Sequence, residues 1–176
     1  MKAVRMFFSF AVLLILSSYS FAQTMPEVGT KAPNFTLQDA SGKSYTLSDY
    51  IGKSPVVIYF YPQAGTSGCT KQACGIRDNW SKFEKSKIMV FGISVDSKEA
   101  IQKFINDYNL NFPLLSDANK KVSREYGVAK DDGGDKRVTF IIDMNGMISQ
   151  IINVTNIASH SELVYEAAST LLPKTN

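Results

Sequence analysis

Cys69 and Cys74 are the only two cysteines in the 176-residue chain, five positions apart. A thiolate is both a nucleophile and a redox group, so these positions hold most of the chemistry that the residue types offer. His160 is the single histidine, which excludes a His-rich metal site and gives poor support to a Cys–His protease pair; no metal or cofactor is expected. In an oxidising compartment two cysteines most simply form one structural disulfide. Any redox function has to displace that alternative.

The elements around the cysteines bear on this choice. Val56-Val-Ile-Tyr-Phe-Tyr is a continuous apolar run, too short for a helix and rich in β-branched and aromatic residues, as in a strand buried on both faces. Pro62 ends it, because proline cannot donate to a central ladder. Beyond the loop Gln63–Gly68, Cys69, Ala73, Ile76, Trp80 and Phe83 recur at steps of four, three, four and three, the period of one helical face. The helix therefore begins near Cys69, where unpaired N–H groups and a partial positive charge favour a thiolate. Five residues along an intact helix mean a rotation of about 140° and a Cα–Cα distance of roughly 8.7 Å. A disulfide spans at most about 7 Å without backbone movement. A Cys69–Cys74 bond thus requires the first turns to unwind, which fits a redox switch better than a static staple.

The rest of the chain supplies the frame. Phe35-Thr-Leu and Tyr45-Thr-Leu flank the turn Ala40-Ser-Gly-Lys as an N-terminal hairpin ahead of the core. Ile88–Val95 is a second buried strand, and Asp96-Ser-Lys-Glu has the form of a capping box opening a helix. Phe112–Leu115 leads to a helix from about Ala118 that Gly127 can close. Arg137–Asp143 and Met147–Val154 flank Asn145-Gly146, a strong hairpin signal. Ser159-His-Ser-Glu, a second capping-box pattern, opens the last helix. The polar segment Lys130–Lys136 reads as a flexible connector. Parallel strands linked by helices, followed by an antiparallel hairpin and a terminal helix, give an α/β, thioredoxin-like fold: a mixed central sheet with helices on both faces and an N-terminal β-hairpin.

The segment Tyr59-Phe-Tyr-Pro-Gln-Ala-Gly-Thr-Ser-Gly-Cys-Thr-Lys-Gln-Ala-Cys-Gly-Ile-Arg-Asp resembles the active site of peroxiredoxins of the Q type, also called bacterioferritin comigratory proteins. Pro62, Thr66 and Cys69 match the Pro-x-x-x-Thr-x-x-Cys pattern that peroxiredoxins share, and Cys74 matches the resolving cysteine of the Q subgroup. The likeness runs from about Pro33 to Leu172 and includes Gly92-Ile-Ser-Val-Asp, Leu114-Leu-Ser-Asp and Arg137-Val-Thr-Phe-Ile-Ile-Asp. It departs at Ser67, where many relatives carry Pro, and at Gly75.

The resemblance implies a thiol-dependent peroxidase. Cys69 would attack hydrogen peroxide or an organic hydroperoxide, and Cys74 would condense with the resulting sulfenic acid to give an intramolecular disulfide. A thioredoxin or thioredoxin-like donor would reduce that disulfide. Thr66 would position the reacting oxygens, Arg137 would hold the thiolate and meet charge on the peroxide, and Pro62 would shield the sulfur. Arg77, Lys71 and Gln72 read as ordinary first-helix residues, and Trp80 as core. An envelope disulfide reductase or isomerase is the competing enzyme reading, although such enzymes generally use Cys-x-x-Cys. A secreted binding domain stapled by one disulfide is the non-enzymatic one.

The first 22 residues have a basic start, an apolar run centred on Ala11–Leu16, and Ser20 and Ala22 at signal-peptidase spacing. This predicts a leader cleaved near Ala22 and an exported protein, in a bacterial periplasm, with residues 23–176 as one domain. The apolar run is shorter than the roughly 20 residues a bilayer span needs, so no stable membrane association is expected. Loss of Lys2 and Arg5 with the leader lowers the formal charge of +3 by two, to +1, which offers no electrostatic case for nucleic acid. A monomer is expected from the resemblance.

Overall fold

The computed structural model describes residues 24–173; the expected leader lies outside them. Among the described residues no helix is long and apolar enough to cross a membrane. In chain order the elements are β1 (Thr36–Asp39), β2 (Ser44–Thr46), a 3-10 turn (Leu47–Asp49), β3 (Val56–Phe60), α1 (Ser67–Lys85), β4 (Met89–Ser94), α2 (Lys98–Tyr108), β5 (Leu114–Ser116), α3 (Lys121–Glu125), β6 (Val138–Ile142), β7 (Ile148–Asn153) and α4 (His160–Ser169). The strands form one seven-stranded sheet in the order β2-β1-β5-β4-β3-β6-β7.

β3 is central, with all five residues buried. It pairs in parallel with β4 and antiparallel with β6. Its side chains alternate between two cores, as the period of two requires. Val57, Tyr59 and Tyr61 meet Ile76 and Phe83 of α1, Phe104 of α2 and Val164 of α4. Val56, Ile58 and Phe60 meet Phe35, Leu47, Val122 and Tyr126 on the opposite face. The fold is therefore the α/β, thioredoxin-like mixed sheet expected, although the cover is unequal. Three long helices lie on one face, and short α3, the 3-10 turn and the N-terminal segment lie on the other.

Several local expectations shift. The N-terminal hairpin does not stand apart from the core, because β1 also pairs with β5 and extends the main sheet. The α2 cap is Ser97, whose hydroxyl accepts from Ala100 N–H at 3.3 Å. Asp96, one residue earlier, is drawn off to the loop after β3. At α4, Ser159 caps with no side-chain hydrogen bond. Residues 130–136 are a structured turn, with a bridge between Ala129 and Asp135 and Lys136 N–H donating to the Val128 carbonyl at 2.8 Å. Asp135 is fully buried beneath that turn.

Candidate active site

Cys69 is the third residue of α1, whose N-cap is Thr66 in an extended conformation. The sulfur is buried, with the residue 1% exposed. Chain topology brings a cation to it. Phe60 pairs with Val138 across β3 and β6, so Arg137 emerges beside the loop that leads to α1. Its Nη2 donates to Cys69 Sγ at 3.2 Å. Gly68 makes the approach possible: a Cβ there would stand 3.2 Å from Arg137 Nη2 and 3.3 Å from Ile157 Cδ1.

Gln72 and His160 fix the guanidinium from behind, and sequence reasoning assigned neither to the site. Arg137 Nη1 donates to Gln72 Oε1. The Gln72 amide nitrogen lies 3.3 Å from each ring nitrogen of His160, and His160 Nε2 is 2.8 Å from Thr139 Oγ1. Gln72, His160 and Thr139 are all buried. Burial first, and then the Arg137 charge, push the imidazole down to about 4. A neutral ring therefore stands behind the guanidinium, where a protonated one would add a second buried cation. Both residues carry a signal in the sequence. Gln72 lies three residues after Cys69 and four before Ile76, a polar side chain inside an apolar stripe. His160 precedes Val164 and Ala168 at the same spacing on the buried face of α4.

The other expected residues take different places. Thr66 is exposed, and its hydroxyl donates to the Gln63 carbonyl at 3.0 Å. That bond uses its hydrogen and leaves its lone pairs open as acceptors. The Pro62 carbonyl is pressed against Gly134, where an added Cβ would lie 2.3 Å from the oxygen. Asp96 pins the loop between them, accepting from Ala64 N–H and from the Ser94 hydroxyl at 2.8 Å each. Arg77 packs on α2, donating to the Tyr108 carbonyl. Trp80 is partly buried against Phe83 and Phe112.

Cys74 is partly buried, and both cysteines are free thiols. Because α1 runs unbroken from Ser67 to Lys85, the two sulfurs belong to an intact helix whose geometry keeps them beyond bonding reach. α4 braces that helix. Asn79 donates to the Ser161 hydroxyl at 3.0 Å, and Lys82 pairs with Glu162 at 2.9 Å. Gly75 faces Ser161, where a Cβ would make an ordinary 3.5 Å contact with Oγ; glycine there is not demanded by space and weakens the helix intrinsically.

A buried cysteine at a helix start, touched by the arginine that leads into the neighbouring strand of a thioredoxin-like sheet, is the arrangement of a thiol enzyme. Comparison with known proteins makes the class specific. The AhpC/TSA family model matches residues 28–151. A putative peroxiredoxin bcp from Coxiella burnetii is 45% identical over 141 residues, covering 76% of this chain and 93% of that protein. Among solved structures, peroxidoxin BcpB from Mycobacterium tuberculosis superposes with a TM-score of 0.77 at 31% identity, covering 85% of this chain and all of that one. Peroxiredoxin Q from Xanthomonas campestris gives a TM-score of 0.72 at 28% identity, covering 77% and 90%. The chain belongs to the AhpC/TSA family and is an enzyme, a thiol-dependent peroxidase. The binding-domain and disulfide-isomerase readings fall with that finding.

Proposed function

We propose that the chain reduces hydrogen peroxide and organic hydroperoxides through Cys69 and is recycled through Cys74. The Cys69 thiolate attacks one peroxide oxygen, an S–O bond forms as the O–O bond breaks, and the departing oxygen leaves as water or an alcohol after taking a proton. The product is a sulfenic acid on Cys69. The first turns of α1 then open, the Cys74 thiolate attacks the Cys69 sulfur, the S–O bond breaks, and the departing hydroxyl takes a proton and leaves as water as the disulfide forms. A thioredoxin-like dithiol reduces the pair and is itself oxidised to a disulfide.

The observation that carries this reading is the Arg137 Nη2 donor 3.2 Å from Cys69 Sγ. A cation there can hold a thiolate and then meet the negative charge that shifts onto the departing oxygen. Thr66 has lone pairs free to accept from the peroxide O–H, and Pro62 walls the site. The apolar stretch before residue 23 supports export, which makes an envelope dithiol the donor; a monomer suffices, because both thiols lie on one helix.

The test is Cys74→Ser. The variant should consume one equivalent of peroxide per chain in forming Cys69 sulfenic acid, take up further equivalents only by overoxidising that sulfur, and fail to cycle with a thioredoxin-like dithiol. Normal multiple turnover in that variant would remove Cys74 from the cycle.

A further inference from the structure

We infer that Asp135 is a positioning residue for peroxide reduction: as a neutral carboxylic acid bonded to Ser123 it seats the 128–136 turn on Pro62 and aims Arg137 at Cys69, and its ionisation releases both. The inference rests on Cys69 being the peroxide-reacting thiol.

Hydrogen counting points to a proton on Asp135. The Ser123 hydroxyl lies 2.8 Å from Asp117 Oδ2 and 3.1 Å from Asp135 Oδ2, yet it has a single hydrogen to donate. Asp117 also accepts from Ser123 N–H at 2.7 Å and Val122 N–H at 3.3 Å, the donor set of an ionised carboxylate. The hydroxyl can donate fully to only one of the two carboxylates; with its hydrogen on the nearer Asp117, a proton on Asp135 donated to Ser123 Oγ completes the second contact. Asp135 Oδ1 is buried without a hydrogen-bond partner. The carbonyl oxygen of a neutral acid bears such isolation far more cheaply than a carboxylate does.

The charged neighbours agree. Asp117 and Lys120 approach from the turn after β5, Asp96 from the end of β4, and the Tyr61 hydroxyl from the end of β3. Burial lifts the Asp135 carboxyl most; a hydrogen bond donated by Ser123 would lower it, an opposition that lapses while the hydroxyl hydrogen points to Asp117; Asp117 and Asp96 lift it further and Lys120 opposes them, leaving it at about 7. The transition therefore falls in a working range of pH.

The lever from this carboxyl to the reaction is short. Asp135 is flanked by Gly134, whose backbone is packed so tightly on the Pro62 carbonyl that a Cβ would reach within 2.3 Å of it. Two residues on, Arg137 donates to the Cys69 sulfur. An ionised Asp135 loses its donor role toward Ser123 and faces the Asp117 carboxylate across a shared oxygen. The turn must then move, and the two groups it seats move with it.

Peroxide reduction is followed by stopped flow in the reduced protein and in Asp135→Asn, whose amide can donate to Ser123 without titrating, with rates expressed per Cys69 thiolate measured by ultraviolet absorbance. The wild-type rate divided by the variant rate is expected to fall about tenfold from pH 6 to pH 8, as a group titrating near 7 passes from about one-tenth to about nine-tenths ionised. A ratio constant within about twofold overturns the proposal. Infrared difference spectra supply a readout without peroxide: a protonated-carboxyl band present at pH 6, faded by pH 8 and missing from Asp135→Asn. Absence of that band from the wild type also overturns it. Should Asp135→Asn not fold, the wild-type band and the wild-type rate per thiolate must decline together, and a rate that holds while the band fades refutes the positioning role. Failure of Cys69 to react with peroxide at any pH would instead refute the peroxidatic assignment, and the band distinguishes that outcome.

Discussion

His160 and Asp135 make opposite demands on pH, and the protein's stability should reveal both. His160 is held down to about 4 by burial and Arg137, so folding excludes a proton that the unfolded chain binds. Its contribution is fully present above the ordinary value of 6.5 and is lost as pH falls toward 4. Asp135 is lifted from 3.8 to about 7, so folding retains a proton that the unfolded chain releases. That contribution is fully present below 3.8 and is lost as pH rises toward 7. Where the pH lies between a group's folded and unfolded values, the two states differ by nearly one proton and the linkage slope approaches its limit of about 1.4 kcal/mol per pH unit. Between pH 4 and 6.5 the two slopes cancel in the wild type. Asp135→Asn removes one of them, so the variant should gain about 3 kcal/mol on the wild type across that window. With a urea m-value of about 2 kcal/mol/M, the gap between the two midpoints widens by about 1.5 M from pH 4 to pH 6.5. Urea titrations of the reduced proteins, read by tryptophan fluorescence, measure it. A gap that stays constant across the window would refute the burial and proton assignments of Asp135.

Gln72→Met keeps the buried volume but removes the acceptor for Arg137 Nη1. A charge-assisted hydrogen bond is worth about 1.5–3 kcal/mol, so the peroxide rate constant should drop by about 10- to 100-fold; a drop under twofold would free Gln72 from the site. Gly134→Ala forces a Cβ onto the Pro62 carbonyl and should cost about 1–3 kcal/mol of stability together with peroxide reactivity, which thermal unfolding and stopped flow would register. Oxidation of the cysteine pair should open the start of α1, so amide exchange over residues 69–78 should accelerate in the disulfide form; equal protection in both redox states would contradict the helix-opening step.

Periodicity and chemistry make much of this legible in the sequence. The buried β3 run, the stripe from Cys69 to Phe83 and the Asn145-Gly146 turn each have one physical reading, and each element formed. Arg137 was expected at Cys69 only through the family resemblance; the pairing of β6 beside β3 that brings it there is specified by no local pattern. What stayed hidden depends on contacts distant in sequence. Asp96 looked like a helix cap and instead binds the Ala64 N–H across 32 positions of chain. The polar composition of residues 130–136 read as a mobile connector, because nothing local shows that Asp135 turns inward to Ser123. His160 and Gln72 were visible only as polar residues at core spacing, and assigning them a partner needed the packing of α4 on α1.

The central claim is that the Cys69 sulfur is the atom peroxide meets first. Stopped-flow mixing of the reduced protein with hydrogen peroxide, with each cysteine's oxidation state read by mass spectrometry after rapid quenching, tests it directly. Rapid loss of the Cys69 thiol in the wild type and in Cys74→Ser, with rapid peroxide consumption abolished in Cys69→Ser, is the predicted result. Rapid peroxide consumption that survives Cys69→Ser, or oxidation that begins at Cys74, would contradict it.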